Sequence, residues 1–379
     1  MPLKVITMAD QRRQIVEKIR AGIWNVTEAS RETGLSRKTI YQYLKRAEDP
    51  TETFEDRSRR PHTTTRTNPS IEAIIMEVAH DYPVWGETKI RKECVRRYPA
   101  LTIPAARTVG RIMDRHDHHP GGQAPGPTGW QRFVSAAPNL LWQMDFKGWF
   151  RTTDRITIHP LSVLDDHSRF LLGLDACTNQ ARETVWTSLR RLFQLYGLPE
   201  RILADNAGPW GAPGTRALTG LDLWLIQLGI VLIHGRPYHP QTQGKVERFH
   251  GTLKRELITR TTFTGVLETQ ARLDHFRDTY NTRRAHQAIE NRYPVEVYQP
   301  SRRPYPDLIL PPDYPDALAI RKVGYNGTIS YENRRILANQ QLQGEYVGIY
   351  EHEEEDTIDI MYYRTILRTV DLRTVPKRP

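Results

Sequence analysis

The sequence contains few cysteines and no long apolar segment. Cys94 and Cys177 are the only cysteines in 379 residues, and they lie too far apart along the chain to form a CxxC motif. A disulfide framework or a cysteine-based zinc site is therefore not expected, and a reducing cytoplasm suits the composition. No apolar run approaches the roughly 18 residues that a membrane helix needs, and the polar start does not resemble a signal peptide. We therefore expect a soluble cytoplasmic protein with no membrane partner.

Basic residues outnumber acidic ones, 54 to 44, and they are unevenly distributed. Residues 1–119 contain 22 basic and 16 acidic side chains, and residues 241–304 contain 12 and 7. Positive charge in these two regions suits a phosphate-backbone partner, although many basic proteins bind no nucleic acid.

Residues 1–50 show the pattern of a helix-turn-helix domain. Apolar periodicity, Gly34 and the potential N-cap Ser36 predict short helices, the last of which is basic. In such a domain the second helix of the motif enters the DNA major groove. A plain three-helix bundle with a solvated face is the alternative. The side chains predicted to contact DNA are Arg37, Lys38, Gln42 and Lys45.

A second helical unit is predicted after a basic linker at 51–68. The linker contains Arg57, Arg59 and Arg60, which could follow a phosphate track or a minor groove, or remain solvated. Residues 69–116 again contain helical apolar stripes, with Arg107 and Arg111 on the last predicted helix. Two tandem reading units predict a long DNA recognition site, and the Pro/Gly-rich segment 117–135 is predicted to be a linker.

The hydrophobic period changes within 136–300. Three consecutive strands, then alternating helices and strands, give the order βββαβαβα. That order is typical of an α/β ribonuclease-H-like domain, in which an antiparallel meander is extended by parallel strands and helices cover both faces. We expect the chemistry in this domain.

Three acids in the domain stand where they could converge. Asp145 lies inside an apolar strand, Asp205 follows a short buried strand, and Glu247 lies in the first turns of the last helix. A buried carboxylate needs a compensating partner, and Mg²⁺ or Mn²⁺ prefers carboxylate oxygens. The three acids are predicted to bind two such ions. Asp165 and Asp166 are the competing candidates, although their position suits a hairpin turn.

The helix that begins near residue 244 places Glu247 among basic side chains. Glu247 and Lys254 are seven residues apart, almost two helical turns, so both are predicted on one face. The basic residues are interpreted as contacts to a polyanionic substrate and not as partners of Glu247. The predicted DNA contacts on this helix are Lys245, Arg248, His250, Lys254 and Arg255.

These motifs resemble the DDE transposases of bacterial insertion sequences, which are relatives of the retroviral integrases. The matching segments are WQMDF (142–146), LDDHSRF (164–170), ILADN (202–206), HPQTQGKVERFHGTLK (239–254) and YNTRRAHQAI (280–289). The resemblance implies that Asp145, Asp205 and Glu247 are the metal-binding triad, with two Mg²⁺ or Mn²⁺ ions per site. It implies cleavage of element ends and their transfer to target DNA, in the cytoplasm and at the nucleoid of a prokaryote. The segment after Asp205 is longer than is usual in the family.

Pairing two DNA ends requires more than one subunit, so we expect a dimer or tetramer. Two other functions stay open. One is a DNA-binding regulator that has lost catalysis, which an intact acid triad disfavours. The other is a ribonuclease-H-like nuclease, which would not need tandem reading units.

The C-terminal region is predicted to be a separate β domain. Residues 301–318 form a Pro-rich linker, and alternation of apolar residues returns over 319–379. We expect a small SH3-like β-barrel, with residues 319–331 forming a hairpin around an Asn326–Gly327 turn.

Overall fold

A computed structural model describes residues 7–51, 53–56, 66–120, 134–204, 218–234, 244–315, 317–352 and 355–378. Asp205, Arg57, Arg59 and Arg60 lie outside these ranges. The chain forms two compact units, Met1–Thr67 and Asn68–Pro379. Within the ranges given, no helix is both long and apolar enough to cross a membrane. Cys94 and Cys177 are both buried free thiols.

The first unit contains the predicted helix-turn-helix. Ser36 accepts a hydrogen bond from the Thr39 amide at 3.1 Å and caps the last helix, while Gly34 ends the preceding one with φ 69°. The helices pack around Ile15, Ala29 and Ile40. They are α1 (Met8–Arg20), α2 (Val26–Thr33) and α3 (Arg37–Arg46).

The second helical group belongs to the second compact unit, together with the central and C-terminal regions. Its apolar core includes Ile75, Ile90 and Val109. Trp85, which is 1% exposed, donates its indole N–H to Glu256 Oε2 at 3.1 Å. This group is therefore joined to the central domain. Its helices are α4 (Pro69–Asp81), α5 (Glu87–Arg97) and α6 (Ala106–Arg115).

The central sheet confirms the ribonuclease-H-like prediction. Its strands are β1 (Trp142–Phe146), β2 (Phe150–Arg151), β3 (Thr157–Asp165), β4 (Leu171–Cys177), β5 (Arg201–Ala204) and β6 (Val231–His234). β3 pairs antiparallel with β1, β2 and β4, while β5 pairs parallel with both β1 and β6. The meander is thus extended by parallel strands, with β1 between the two parts.

Helices cover both faces of this sheet. Neighbouring residues of β3 show the alternation, since Val163 belongs to the same apolar cluster as Leu192 and Trp224, whereas Leu164 belongs to the cluster on the other face, with Phe249. The helices are α7 (Arg182–Tyr196), α8 (Gly220–Gln227), α9 (Gly244–Glu256), α10 (Val266–Thr282) and α11 (Pro294–Val297). Short 3₁₀ turns span Ile258–Arg260, Gln287–Ile289, Gln340–Leu342 and Leu372–Thr374.

The C-terminal region forms two sheets around one apolar core. Its strands are β7 (Ala319–Lys322), β8 (Thr328–Tyr331), β9 (Arg334–Leu337), β10 (Tyr346–His352), β11 (Thr357–Tyr362) and β12 (Thr365–Asp371). One sheet has the order β12-β11-β10-β7, and β8 pairs only with β9 among the described strands. The predicted closed SH3-like barrel is therefore not confirmed.

The predicted hairpin around Asn326–Gly327 is wrong. The chain does turn at Gly327, whose φ is 71°, but β7 pairs with β10 and β8 pairs with β9. The hairpin turn lies instead at Glu332 and Asn333, both of which have positive φ. Two consecutive residues with positive φ form a tight turn whose twist matches the right-handed twist of paired strands. This turn geometry favours the pairing of β8 with β9.

Candidate active site

Asp145 lies near the end of β1, on the strand face opposite the main apolar core. Trp142 and Met144 point into that core, so alternation places Gln143 and Asp145 on the other side. Asp145 is in register with Ser162 of β3. Its side chain is 20% exposed, so the carboxylate is held by the sheet and is still accessible.

His250 of α9 lies against Asp145. Its Nδ1 is 3.6 Å from Asp145 Oδ2, too long for a hydrogen bond, and its Nε2 is 3.1 Å from Ser162 Oγ. Burial and the nearby charge of Lys147 lower the pKa of His250 to about 3. The imidazole is therefore neutral at physiological pH, and it fixes α9 against β1 and β3.

Glu247 lies one helical turn before His250 on α9. Residues three apart on a helix share a face, so Glu247 is on the side where α9 meets Asp145. Its side chain is exposed. The fold thus brings two of the three predicted ligands, Asp145 and Glu247, to one edge of the domain. Asp205 lies outside the described residues.

The donors at this edge suit a hard divalent cation. Two accessible carboxylates supply oxygen ligands of the kind that Mg²⁺ and Mn²⁺ prefer. No group of three or more potential His, Cys, Asp or Glu ligands occurs among the residues outside the gaps, one of which contains Asp205. The residues that are present fit a metal site to which Asp205 would contribute the third carboxylate.

Asp165 and Asp166, the competing acids, are both buried and occupied within the protein. Asp165 accepts hydrogen bonds from the amides of Asn139 and Ser168, both at 2.7 Å. Burial opposes ionisation of Asp166, but hydrogen bonds from Lys245 and Ser135 outweigh it and lower its pKa. Neither carboxylate is available at the surface, so their position supports a structural role.

The predicted DNA contacts on α9 separate into two groups. The Lys245 ammonium is bonded to the Asp166 carboxylate, and His250 is 7% exposed. The structure therefore gives these two side chains roles inside the protein and not at a DNA surface. Arg248 and Lys254 are exposed, and Arg255 is half-buried.

The predicted contacts of the helical units are all at the surface. In α3 the exposed side chains include Tyr41, 60% exposed, which sequence reasoning missed. They lie on one side of the helix, because residues 37, 41 and 45 are spaced four apart, as are residues 38 and 42. The exposed predicted residues are Arg37, Lys38, Gln42 and Lys45 in α3, and Arg107 and Arg111 in α6.

Sequence reasoning also missed three side chains around Asp145. The Gln143 amide donates a hydrogen bond to Asp166, and the Ser162 hydroxyl lies at hydrogen-bond distance from His250. The positive charge of Lys147 helps to lower the pKa of His250. The alternating polar residues 143, 145 and 147 were a signal that one strand face is functional. Nothing local identified Ser162, which lies on another strand.

Comparison with protein families identifies the central and N-terminal domains. An integrase core domain matches residues 135–240, and a second integrase core domain pattern matches 228–294. A helix-turn-helix domain matches residues 11–62. The first two ranges together contain Asp145, Asp205 and Glu247.

Known relatives share part of this chain. The Gag-Pro-Pol polyprotein of Mason-Pfizer monkey virus is 36% identical over 117 residues, or 31% of this chain and 6% of the polyprotein. An uncharacterized 31.7 kDa protein of insertion element IS407 from Burkholderia multivorans is 24% identical over 166 residues, or 44% of this chain and 57% of its own length. The chain thus spans only a small part of the viral polyprotein and just over half of the bacterial protein.

Solved structures with a similar arrangement include viral integrases. The match to the HTLV-2 integrase catalytic core domain in complex with magnesium covers 43% of this chain and 99% of the HTLV-2 chain, with a TM-score of 0.34 and 14% identity. The match to a chain of the simian T-cell lymphotropic virus intasome structure covers 79% of this chain and 99% of that chain, with a TM-score of 0.38 and 15% identity.

Proposed function

Because this chain belongs with the DDE transposases of the retroviral integrase superfamily, we propose that it is a DNA transposase. It binds the ends of a mobile element, cleaves a strand there and joins the end to target DNA. The observation that carries the proposal is the contact of His250 with Asp145, at 3.6 Å, which brings the helix of Glu247 onto the strand of Asp145.

The strand register supports Asp205 as the third ligand. Leu203 of β5 pairs with Gln143 of β1, and each lies two residues before a predicted ligand, Asp205 and Asp145. The three acids would hold two Mg²⁺ or Mn²⁺ ions. When bound, such ions activate a water or a DNA 3′-hydroxyl and stabilise the leaving oxygen in an in-line attack on a phosphodiester.

The protein's own residues orient the DNA. Arg248, Lys254 and the half-buried Arg255 lie along α9 with Glu247 and supply positive charge for the phosphates. Exposed α3 side chains read the element end from the first unit, and Arg107 and Arg111 of α6 contact it from the second. Arg57, Arg59 and Arg60 of the basic segment 51–68 contact the DNA phosphates. The partners are therefore double-stranded DNA at the element ends and at the target.

Strand transfer joins two ends, so we propose a homodimer or homotetramer, located in the prokaryotic cytoplasm at the nucleoid. The two C-terminal sheets are proposed to act as an SH3-like module, and the domain limits are those that the sequence predicts.

The test uses purified full-length protein and DNA containing the inverted repeats that flank its gene. Cleavage should require Mg²⁺ or Mn²⁺, stop with EDTA, and be lost in Asp145→Asn, Asp205→Asn and Glu247→Gln, while gel-shift binding persists. Asp278→Asn, at an exposed acid of α10, is the matched control. Binding without cleavage by the unmodified protein would favour the regulator, and preferential cutting of RNA–DNA hybrids would favour the nuclease.

A further inference from the structure

A fully buried carboxylate lies next to the candidate site. Asp166 follows β3 and is 0% exposed. One of its oxygens accepts from the Ser135 amide at 2.8 Å, and the other accepts from Gln143 Nε2 at 2.8 Å and from the Lys245 ammonium. Lys245 also donates to the Asp166 carbonyl at 3.2 Å. Asp166 therefore connects three separate segments of the chain.

Two of these segments contain the proposed metal ligands. Gln143 precedes Asp145 by two residues on β1, and Lys245 precedes Glu247 by two residues on α9. Gln143 Oε1 also accepts from the Val246 amide at 3.3 Å. That amide is one of the first N–H groups of α9, which have no partner within the helix itself. Gln143 thus contacts both Asp166 and the first turn of α9.

These contacts set the position of the first turn of α9 relative to β1. His250 makes a contact one turn later, with Asp145 and Ser162. Glu247 lies between the two contacts and makes neither of them. Its position is therefore determined by groups on both sides of it along the helix.

We propose that Asp166, Lys245 and Gln143 are positioning residues that hold Glu247 at the distance from Asp145 that a shared metal site requires. This inference rests on the proposed function. Lys245, although basic and next to Glu247, then acts through the protein interior and not through DNA. Loss of the cluster should weaken metal binding even where the fold persists.

The experiment measures Mn²⁺ affinity of the full-length protein by electron paramagnetic resonance of the free ion, with folding followed by circular dichroism. Lys245→Met alone leaves a buried carboxylate without its cation and can unfold the protein. The double variant Asp166→Asn/Lys245→Met removes both charges and keeps a similar shape. Gln143→Leu removes the two glutamine hydrogen bonds and is the second, independent variant.

We expect the double variant and Gln143→Leu to fold and to bind Mn²⁺ at least tenfold more weakly than the unmodified protein. Arg272→Met, which breaks an exposed ion pair with Glu268 on α10, should leave the affinity unchanged. If a folded variant of either kind binds Mn²⁺ as tightly as the unmodified protein, the positioning role is wrong. If the double variant does not fold, Gln143→Leu decides by the same criterion.

Failure of the proposed function gives a different result. In that case the unmodified protein either binds no Mn²⁺ or binds it as tightly as Asp145→Asn does. The positioning role is then excluded together with the proposed function. Binding that depends on Asp145 but not on Asp166, Lys245 or Gln143 excludes the positioning role alone.

Discussion

His250 and Asp145 face each other across the junction of α9 and β1, with 3.6 Å between Nδ1 and Oδ2. That distance is too long for a hydrogen bond, but the tautomer with the proton on Nδ1 turns an N–H toward the carboxylate, and Nε2 then accepts from the Ser162 hydroxyl. A neutral, buried side chain from the helix of Glu247 thus contacts the acid that Glu247 is proposed to assist.

Replacement of His250 by alanine should reduce both stability and cleavage. His250→Ala leaves the buried Ser162 hydroxyl without this partner, which costs about 1–3 kcal/mol of unfolding free energy. Cleavage of element-end DNA should fall at least tenfold, because α9 loses its contact with Asp145, whereas gel-shift affinity should change little. Urea unfolding and single-turnover cleavage measure the two effects. Ser162→Ala is the control, and an unchanged cleavage rate in His250→Ala contradicts the positioning of Asp145 by His250.

Glu256 should be important for joining the second helical group to the central domain. It is buried with Arg284, whose Nη2 donates at 3.0 Å, and it accepts from Trp85. Glu256→Gln leaves the Arg284 guanidinium without its anion, and we expect a loss of about 3–5 kcal/mol in unfolding free energy. Glu332 is exposed in its ion pair with the half-buried Arg334, so Glu332→Gln should cost no more than about 1 kcal/mol. Equal losses of unfolding free energy for the two substitutions, measured by urea unfolding, would contradict this interpretation.

The stability of the protein should fall in mild acid because of His286. Burial, with the charges of Arg284 and Lys89, holds the pKa of His286 well below its ordinary value. In the unfolded chain this histidine titrates near pH 6.5, so the unfolded state binds more protons below that pH and is favoured. Between pH 7 and pH 5 this one group should remove about 2 kcal/mol of unfolding free energy.

His286→Gln provides the comparison for that pH dependence. Unfolding free energies of both proteins, measured at pH 7 and pH 5, should fall less steeply in the variant. All other titrating groups are common to the two proteins, so the difference isolates His286. Parallel pH dependences would show that His286 is already protonated, or exposed, in the folded protein.

The basic face of α3 should determine the salt dependence of DNA binding. Lys45→Ala removes an exposed cation, so affinity should fall for all sequences and the slope of log affinity against log salt should decrease by about one. Arg13→Ala removes an exposed cation from α1 and serves as the matched control. Fluorescence anisotropy over a salt series checks both. If the slope changes equally in the two variants, α3 is not the preferred DNA-binding face of this unit, and the prediction is wrong.

Much of the fold could be predicted from local patterns. Apolar periodicity distinguished helices from strands, Ser36 and Gly34 marked helix ends, and an acid within an apolar strand singled out Asp145. These features depend on neighbours a few residues away, since capping, periodicity and the alternation of strand faces are local effects. The order of elements then led to the ribonuclease-H-like topology.

Contacts between distant residues could not be predicted in this way. Lys245 and His250 resemble the other cations of α9 in sequence, and only the packing of α9 on the sheet gives Lys245 the carboxylate of Asp166, 79 residues away, and buries His250 on Ser162. The partner of Trp85 lies 171 residues away. The sequence by itself determined the elements and the acids, because those follow from local propensity and polarity. Tertiary structure alone decided which charges face solvent and which face each other, because burial depends on the whole fold.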